Sequence, residues 1–382
     1  MRTAPITLDA LRHYAISRTL FTPTSLSAAI KRLGFVQADP IRAPARAQDL
    51  TLRHRVKNYR AGDLARRYAA LDVEEDFFVN YGFLPRSTQA LMHPRTPRAA
   101  WPKARAAQAL EVLAFVQEHG VVHPREVGAH FAHGRVRNWF GGASNASTQL
   151  LDDMHYRGLL RIAARAGGVR TYAVAEHLPQ LIANPALAMD ALVDVIVHKY
   201  APLPERSLRE LIAMLRGGAP QWEAQRAAAF ARAKTRLPSA TVDGITWYWP
   251  QGESPAARRH TGHAGYAGGA GYAERAGQPA AQSDSVRLLA PFDPVVWDRR
   301  RFELFWGWAY RFEAYTPAAK RIRGYYALPL LWRDQVIGWG NLTVKDGTLQ
   351  SEIGYVAGKA PRDKVFRAAL EDELGRMENF LR

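Results

Sequence analysis

An α+β fold is what this sequence predicts, with tandem winged-helix domains followed by a small β-barrel-like domain. Three observations predict it. One order, three helices and then a β-hairpin, occurs twice between residues 101 and 250. From Val286 onward, apolar runs alternate with turns, the pattern of a small β-rich domain. The chain has 382 residues of which 47% are apolar, too many for one ordinary core and enough to fill several.

Each element has its own signal. Leu8, Leu11, Tyr14 and Ala15 keep helical spacing. Ser25 to Leu33 is a short amphipathic helix that Thr24 or Ser25 can cap and Gly34 can end. Ala61 to Tyr68 reads as a further helix. Leu71 to Leu84 holds an aromatic run, Phe77 to Phe83, which Pro85 ends. These segments form the first predicted domain, residues 1–95, a winged-helix-like unit of degenerate pattern.

The second domain, 101–180, is clearer. Ala104 to Glu118 is a helix closed by Gly120, Pro124 to Phe131 a second and Ser147 to Arg157 a third. Leu159 to Ile162 and Val169 to Tyr172 then pair across Gly167-Gly168. The third domain, 186–250, repeats the order with Met189 to Tyr200, Glu205 to Leu215 and Trp222 to Lys234. Its hairpin turns at Asp243-Gly244. Residues 251–285 are Gly/Ala-rich and read as a flexible loop. Their glycines follow no strand and open no helix, so a nucleotide loop is disfavoured. A Gly/Ser replacement of 256–280 should leave folding intact. Residues 286–382 form the last domain, closed by a helix from Asp363 to Phe380.

Composition narrows the function. The formal charge is +17. Between Lys31 and Arg67 stand ten Lys/Arg against three Asp, and between Arg299 and Arg323 seven basic against two acidic residues. Charge concentrated in two short stretches favours a polyanion-binding surface; a basic surface typical of an Arg-rich proteome is the plain alternative. There are no cysteines, which excludes disulfides, thiol nucleophiles and Cys-ligated metal centres. No apolar run suits a signal peptide or a membrane span. A soluble, cytoplasmic, nucleoid-associated monomer with no cofactor is expected.

The most informative residues are Phe35-Val36-Gln37-Ala38-Asp39-Pro40-Ile41. Pro40 pushes Asp39 out of the α region, so this stretch should be extended. Gln37 and Asp39 then face the same way, about 6.5–7 Å apart along the backbone. An amide and a carboxylate facing one spot can orient a water and stabilise a positive charge. Taken alone, an Asp before Pro is more often only a turn or capping residue, and the Gln beside it only a hydrogen-bond donor.

Two further segments stand out: Leu289-Ala290-Pro291-Phe292-Asp293-Pro294-Val295-Val296-Trp297-Asp298-Arg299, and Tyr310 to Arg321 with Gly324-Tyr325-Tyr326. Together with Gln37-Ala38-Asp39 and the following Ile41 to Ala47, they make the chain resemble the winged-helix DNA glycosylases that repair alkylated bases and interstrand crosslinks, the YcaQ-type family. The resemblance spans nearly the whole chain apart from 251–285. It implies tandem winged helices and a β-barrel, a double-stranded DNA partner with alkylated or crosslinked bases, and action of Gln37 and Asp39 at the glycosidic bond. One position departs: where many relatives carry histidine, this chain has Asn80.

The implied chemistry needs no general acid. A guanine alkylated on N7 is already cationic and leaves as a neutral base. Asp39 would stabilise the oxocarbenium-like sugar and accept a proton from water, and the Gln37 amide would orient that water. No lysine adjoins the motif, so a monofunctional N-glycosylase that leaves an abasic site is expected. Candidate phosphate contacts are Arg42, Arg46, Arg53, Arg55 and Lys57, and the cluster Lys320, Arg321 and Arg323. Arg165 and Arg170 flank a hairpin that could enter a minor groove. Trp297, Trp306, Trp308 and Trp332 read as core before base-stacking, and His130 with His133 lacks a third ligand for metal. The rival function is a non-catalytic winged-helix DNA-binding protein or regulator, which usually needs dimer symmetry.

Overall fold

The structure is a computed structural model that describes residues 5–97, 99–132, 134–137, 143–176, 184–256 and 284–382. Most of the Gly/Ala-rich segment, residues 257–283, lies outside these, as does His133.

The N-terminal region opens with α1 (Leu8–Thr19) and α2 (Leu26–Leu33). Ser25 caps α2, its side chain accepting from the Ala28 amide, and Gly34 ends it at φ 68°. Leu26, Ala29, Ile30 and Leu33 are buried, the i, i+3, i+4, i+7 stripe that seats a short helix. Then come β1 (Val36–Gln37), α3 (Ala47–Leu52) and α4 (Asp63–Arg67), the last followed by a 3-10 turn over Tyr68–Ala70. Gly62, at φ 87°, delays the start of α4, which is why this helix is shorter than its sequence suggests. The aromatic run resolves into a hairpin, β2 (Val73–Phe77) and β3 (Tyr81–Pro85), with α5 (Arg86–Ala90) after it. The sheet order is β1-β3-β2.

The middle of the chain runs α6 (Lys103–His119), α7 (Pro124–Phe131), a short pair β4 (Arg135–Arg137) and β5 (Ala143–Asn145), α8 (Ala146–Tyr156), then β6 (Leu160–Ala166) and β7 (Val169–Val174). It continues through α9 (Pro185–Tyr200), β8 (Leu203–Pro204), α10 (Glu205–Met214), α11 (Arg226–Arg236), β9 (Ser239–Val242) and β10 (Ile245–Tyr248). Asp243 and Gly244 both have positive φ, as a tight Asp-Gly hairpin requires.

The last part comprises β11 (Val286–Leu288), α12 (Pro294–Trp297), α13 (Arg299–Trp306), β12 (Leu328–Trp332), β13 (Gln335–Lys345), β14 (Thr348–Tyr355) and α14 (Lys364–Leu381). The four strands pair antiparallel in sequence order. Among the described residues β14 does not pair back to β11, so the sheet is an open half-barrel and the expected barrel is not closed. Helix α14 lays Phe366, Met377 and Phe380 into the core that holds Leu288, Leu330 and Leu342.

That core also takes Leu26, Ile30, Val36 and Leu50 from the N-terminal region and Val112, Leu151 and Ile162 from the middle. A second core joins Leu11, Phe35 and Phe78 to α9, α10 and α11. The N-terminal region therefore packs against both neighbours, with the Gln37 segment between them. Trp306 and Trp308 bond their indole N–H groups to the carbonyls of Asp334 and Val336, and Trp332 packs against Phe366 at 5.1 Å. The bonded indoles of Trp306 and Trp308, and the Trp332 ring packed against the core, fit the structural role expected of them.

Candidate active site and nucleic-acid interface

The extended stretch forms as its sequence requires. Val36 pairs with Phe83 and Gln37 with Gly82, and the Ala38 amide donates to the Tyr81 carbonyl at 2.9 Å. Only glycine fits at 82: a Cβ there would lie 2.3 Å from the Val36 carbonyl oxygen and 2.7 Å from the Phe35 ring. Strand β1 is therefore as close to β3 as backbones can come.

Gln37 and Asp39 are both buried, at 5% and 9% exposure. The Trp297 indole N–H donates to Gln37 Oε1 at 2.8 Å. An indole can only donate, so this bond fixes which way the amide points. Among the described residues nothing bonds Gln37 Nε2, which leaves a donor open. Asp39 Oδ1 accepts from the Ile41 amide at 2.9 Å, and its own amide donates to Gln48 Oε1 at 3.2 Å. Among the described residues Oδ2 has no donor. An amide N–H and a carboxylate oxygen are thus both open on one short segment. Burial pushes the Asp39 carboxyl above its ordinary value, the Ile41 amide opposing. Tyr326 stands near: burial and the Asp39 charge push its phenol up, and its buried hydroxyl has no partner.

Two supports were not visible in the sequence. Lys199 on α9 is buried, and its ammonium donates to the Phe35 carbonyl, two residues before Gln37. Burial lowers its amine to about 7. It is a lysine beside the motif in space, but it is spent on the backbone and shielded from solvent. The other support is the Leu289–Arg299 segment. Asp293 caps α12 and receives both Nη atoms of Arg55, at 2.7 and 3.0 Å. Arg55 also donates to the carbonyls of Thr19 and Thr51. Asp298 caps α13, and Arg301 donates to the Tyr200 and Pro294 carbonyls. These clamps set the position of α12, and so of Trp297 over Gln37.

Arg55 is therefore corrected. It is fully buried and has no surface with which to meet a phosphate. Arg53 is corrected with it: its side chain is 4% exposed and paired with the buried Glu373. Arg165 and Arg170 are half-buried and both pair with Glu75, the second at 3.0 Å. They hold the β6–β7 hairpin against β2, so their charge is largely matched.

The reason lies in β2, where Glu74, Glu75 and Asp76 are all buried. Glu74 takes Arg86 and Arg161, each at 2.8 Å. Asp76 takes His93 at 2.7 Å and Arg95 at 3.2 Å. Burial alone would raise Asp76, but Arg95 and His93 hold it well below the usual carboxylate range. Sequence reading missed this strand because three acids in a row argue against one.

What remains on the surface is Arg42, Lys57 and Lys320, exposed, with Arg46, Arg321 and Arg323 half-buried. Burial and the charges of Arg42 and Arg165 lower the Arg46 guanidinium. Arg42 and Arg46 line an open cleft of about 590 Å³ that reaches Asp49, the β13–β14 turn at Gly347, and Arg382. Gln37 and Asp39 do not line that cleft; they lie in the segment leading to it. Asn80 is exposed at the β2–β3 turn, and its Oδ1 accepts from the Tyr81 amide at 2.8 Å. Continuing the β1–β3 register sets Asn80 across from Asp39. Among the described residues no group of three or more His, Asp or Glu is placed to hold a metal ion, and no helix is long and apolar enough to cross a membrane.

Comparison with known proteins gives the family and the fold. The sequence matches the model of the AlkZ-like DNA glycosylases over residues 30–380. The structure superposes on the DNA glycosylase AlkZ of Streptomyces sahachiroi with a TM-score of 0.61 and 15% identity, covering 99% of this chain and 97% of that one. At that identity the likeness concerns the fold.

Proposed function

The chain belongs to the AlkZ-like DNA glycosylase family, and from that premise we propose that it hydrolyses the N-glycosidic bond of N7-alkylated purines in double-stranded DNA and unhooks crosslinks made through such bases. One observation carries the reading. Gln37 and Asp39 sit on one buried segment, each with an open polar atom, and each held in orientation by a bond to its other polar atom, Oε1 of Gln37 and Oδ1 of Asp39.

The chemistry follows from those atoms. The leaving base is already cationic, so no acid has to protonate it. As the bond stretches, positive charge grows on the sugar, and the Asp39 carboxylate lies in a poorly solvated place where charge stabilisation is strong. Gln37 Nε2 donates to the attacking water, and Asp39 takes its proton. The buried Lys199, committed to the Phe35 carbonyl, forms no Schiff base, and the product is an abasic site. The two helix-rich units act as winged helices that seat the duplex, with Arg42, Arg46, Lys57, Lys320, Arg321 and Arg323 at phosphates.

The test is incubation with duplex DNA carrying N7-methylguanine, followed by alkali. Strand breaks at the lesion support the reading. Tight DNA binding without breaks would turn it to the regulator.

A further inference from the structure

The segment between α13 and β12 presents a feature that the excision chemistry does not use. Tyr315 is 80% exposed, Ile322 75% and Tyr325 43%. Isolated exposed apolar residues are ordinary, but these share one tightly fastened loop. The buried Glu313 carboxylate accepts from the Ile322 amide at 3.0 Å and the Arg323 amide at 2.8 Å. Arg321 Nε donates to the Thr316 carbonyl at 2.8 Å, and Asn341 Nδ2 to the Arg323 carbonyl at 2.7 Å. At Gly324, φ is 115° and a Cβ would fall 2.3 Å from Asn341 Oδ1, so the loop comes as near to β13 as it can. Tyr315 and Ile322 are thus held out in solvent by a neck that cannot easily collapse over them.

The loop also points to a place. Tyr315 packs on Phe312 at 5.9 Å and Phe312 on Tyr326 at 5.2 Å. This ring ladder leads from the exposed tip to Tyr326, whose phenol feels the Asp39 charge. The loop's one carboxylate is spent on its own backbone, while Arg311 and Lys320 are exposed and Arg321 half-buried. An apolar tip ringed by cations suits a polyanion with an apolar interior, and disfavours a second copy of a +17 chain.

We propose that Tyr315 and Ile322 form a wedge that enters the base stack of duplex DNA beside the nucleotide presented to Asp39, with Lys320 and Arg321 on the flanking phosphates. The proposal rests on the glycosylase reading. An enzyme that acts on a base inside a duplex must unstack it, and an apolar side chain between base steps offsets that cost.

The test uses the full chain and duplexes in which 2-aminopurine neighbours N7-methylguanine or an unmodified guanine, with Asp39→Asn keeping the damaged strand intact. Binding should raise the 2-aminopurine fluorescence as stacking is lost. Tyr315→Ala with Ile322→Ala should abolish the rise and weaken binding by about tenfold, with an unchanged melting temperature. Tyr315→Phe with Ile322→Leu should keep the rise. An equal rise in the alanine pair, or none in the parent, overturns the wedge. So does concentration-dependent self-association that the alanine pair abolishes, which would give the patch to a second copy. Excision by the wild type, followed in parallel, separates the readings: excision without a rise rejects the wedge alone, and a rise without excision rejects the catalysis alone.

Discussion

At the scale of single residues, Asp39 carries two requirements that pull apart. Burial opposes its charge, yet stabilising a cation needs that charge. Its ionised form is therefore lost at a higher pH than for an ordinary carboxyl. Single-turnover excision, corrected for spontaneous depurination, should fall on acidification with a midpoint above the usual 3.8. Asp39→Asn should cut excision by about 10²-fold or more and remove the limb, with DNA affinity within a few-fold. The sign for stability is opposite to that of a paired carboxylate. A raised folded-state pKa opposes folding above that pKa and has no effect below the unfolded value. Asn keeps an oxygen for the Ile41 amide, so the variant should melt no lower than wild type at neutral pH. A marked drop in melting temperature would assign Asp39 a structural role. Asn80 is the second residue to test. Histidine there should add a titration near pH 6.5 if the side chain reaches the site, whereas superimposable profiles would place position 80 apart from the chemistry.

At the scale of elements, the sequence was most readable where local rules act alone. The cap at Ser25, the stop at Gly34, the Pro124–Phe131 helix and the Asp243-Gly244 turn all depend on neighbours a few residues away. What could not be read depends on partners far along the chain. Strand β2 exists because Arg86, Arg95, Arg161, Arg165 and Arg170 arrive to match its acids, and no local propensity reports that. The same cause misled the reading of Arg55, whose partner Asp293 is 238 residues away. The Asp293 clamp makes a prediction of its own. Arg55→Leu strands a buried carboxylate and should cost about 3–5 kcal/mol, seen as a lower urea midpoint. Trp297→Phe should instead keep stability nearly intact: Trp297 packs on Tyr200 at 4.9 Å, and a phenyl ring should keep a stacking partner there. The substitution frees the Gln37 amide and should slow excision by roughly tenfold without weakening DNA binding. Equal rates in the two proteins would show that the orientation of Gln37 does not matter.

At the scale of the whole molecule, the charge of +17 overstates what DNA can meet. The net figure does not say where the cations sit, and Arg53, Arg55, Arg95, Arg161, Arg165 and Arg170 all serve carboxylates of the protein's own. Of the candidate phosphate contacts, those left at the surface are Arg42, Arg46, Lys57, Lys320 and Arg321, with Arg323 partly occupied between Trp308 and Trp339. Each phosphate neutralised contributes about −0.9 to the slope of log affinity against log salt. Five contacts predict a slope of about −4 to −5, far from what the formal charge suggests. Arg42→Ala and Lys320→Ala should each reduce the steepness by about one, equally on damaged and undamaged DNA, because phosphate contacts carry no information about the base. Arg170→Ala should leave the slope unchanged and act on stability through Glu75. Fluorescence anisotropy across a salt series measures all three. A slope that follows the formal charge, or that shifts with Arg170→Ala, would mean that the β6–β7 arginines leave their carboxylates when DNA binds, and that the interface extends over that hairpin after all.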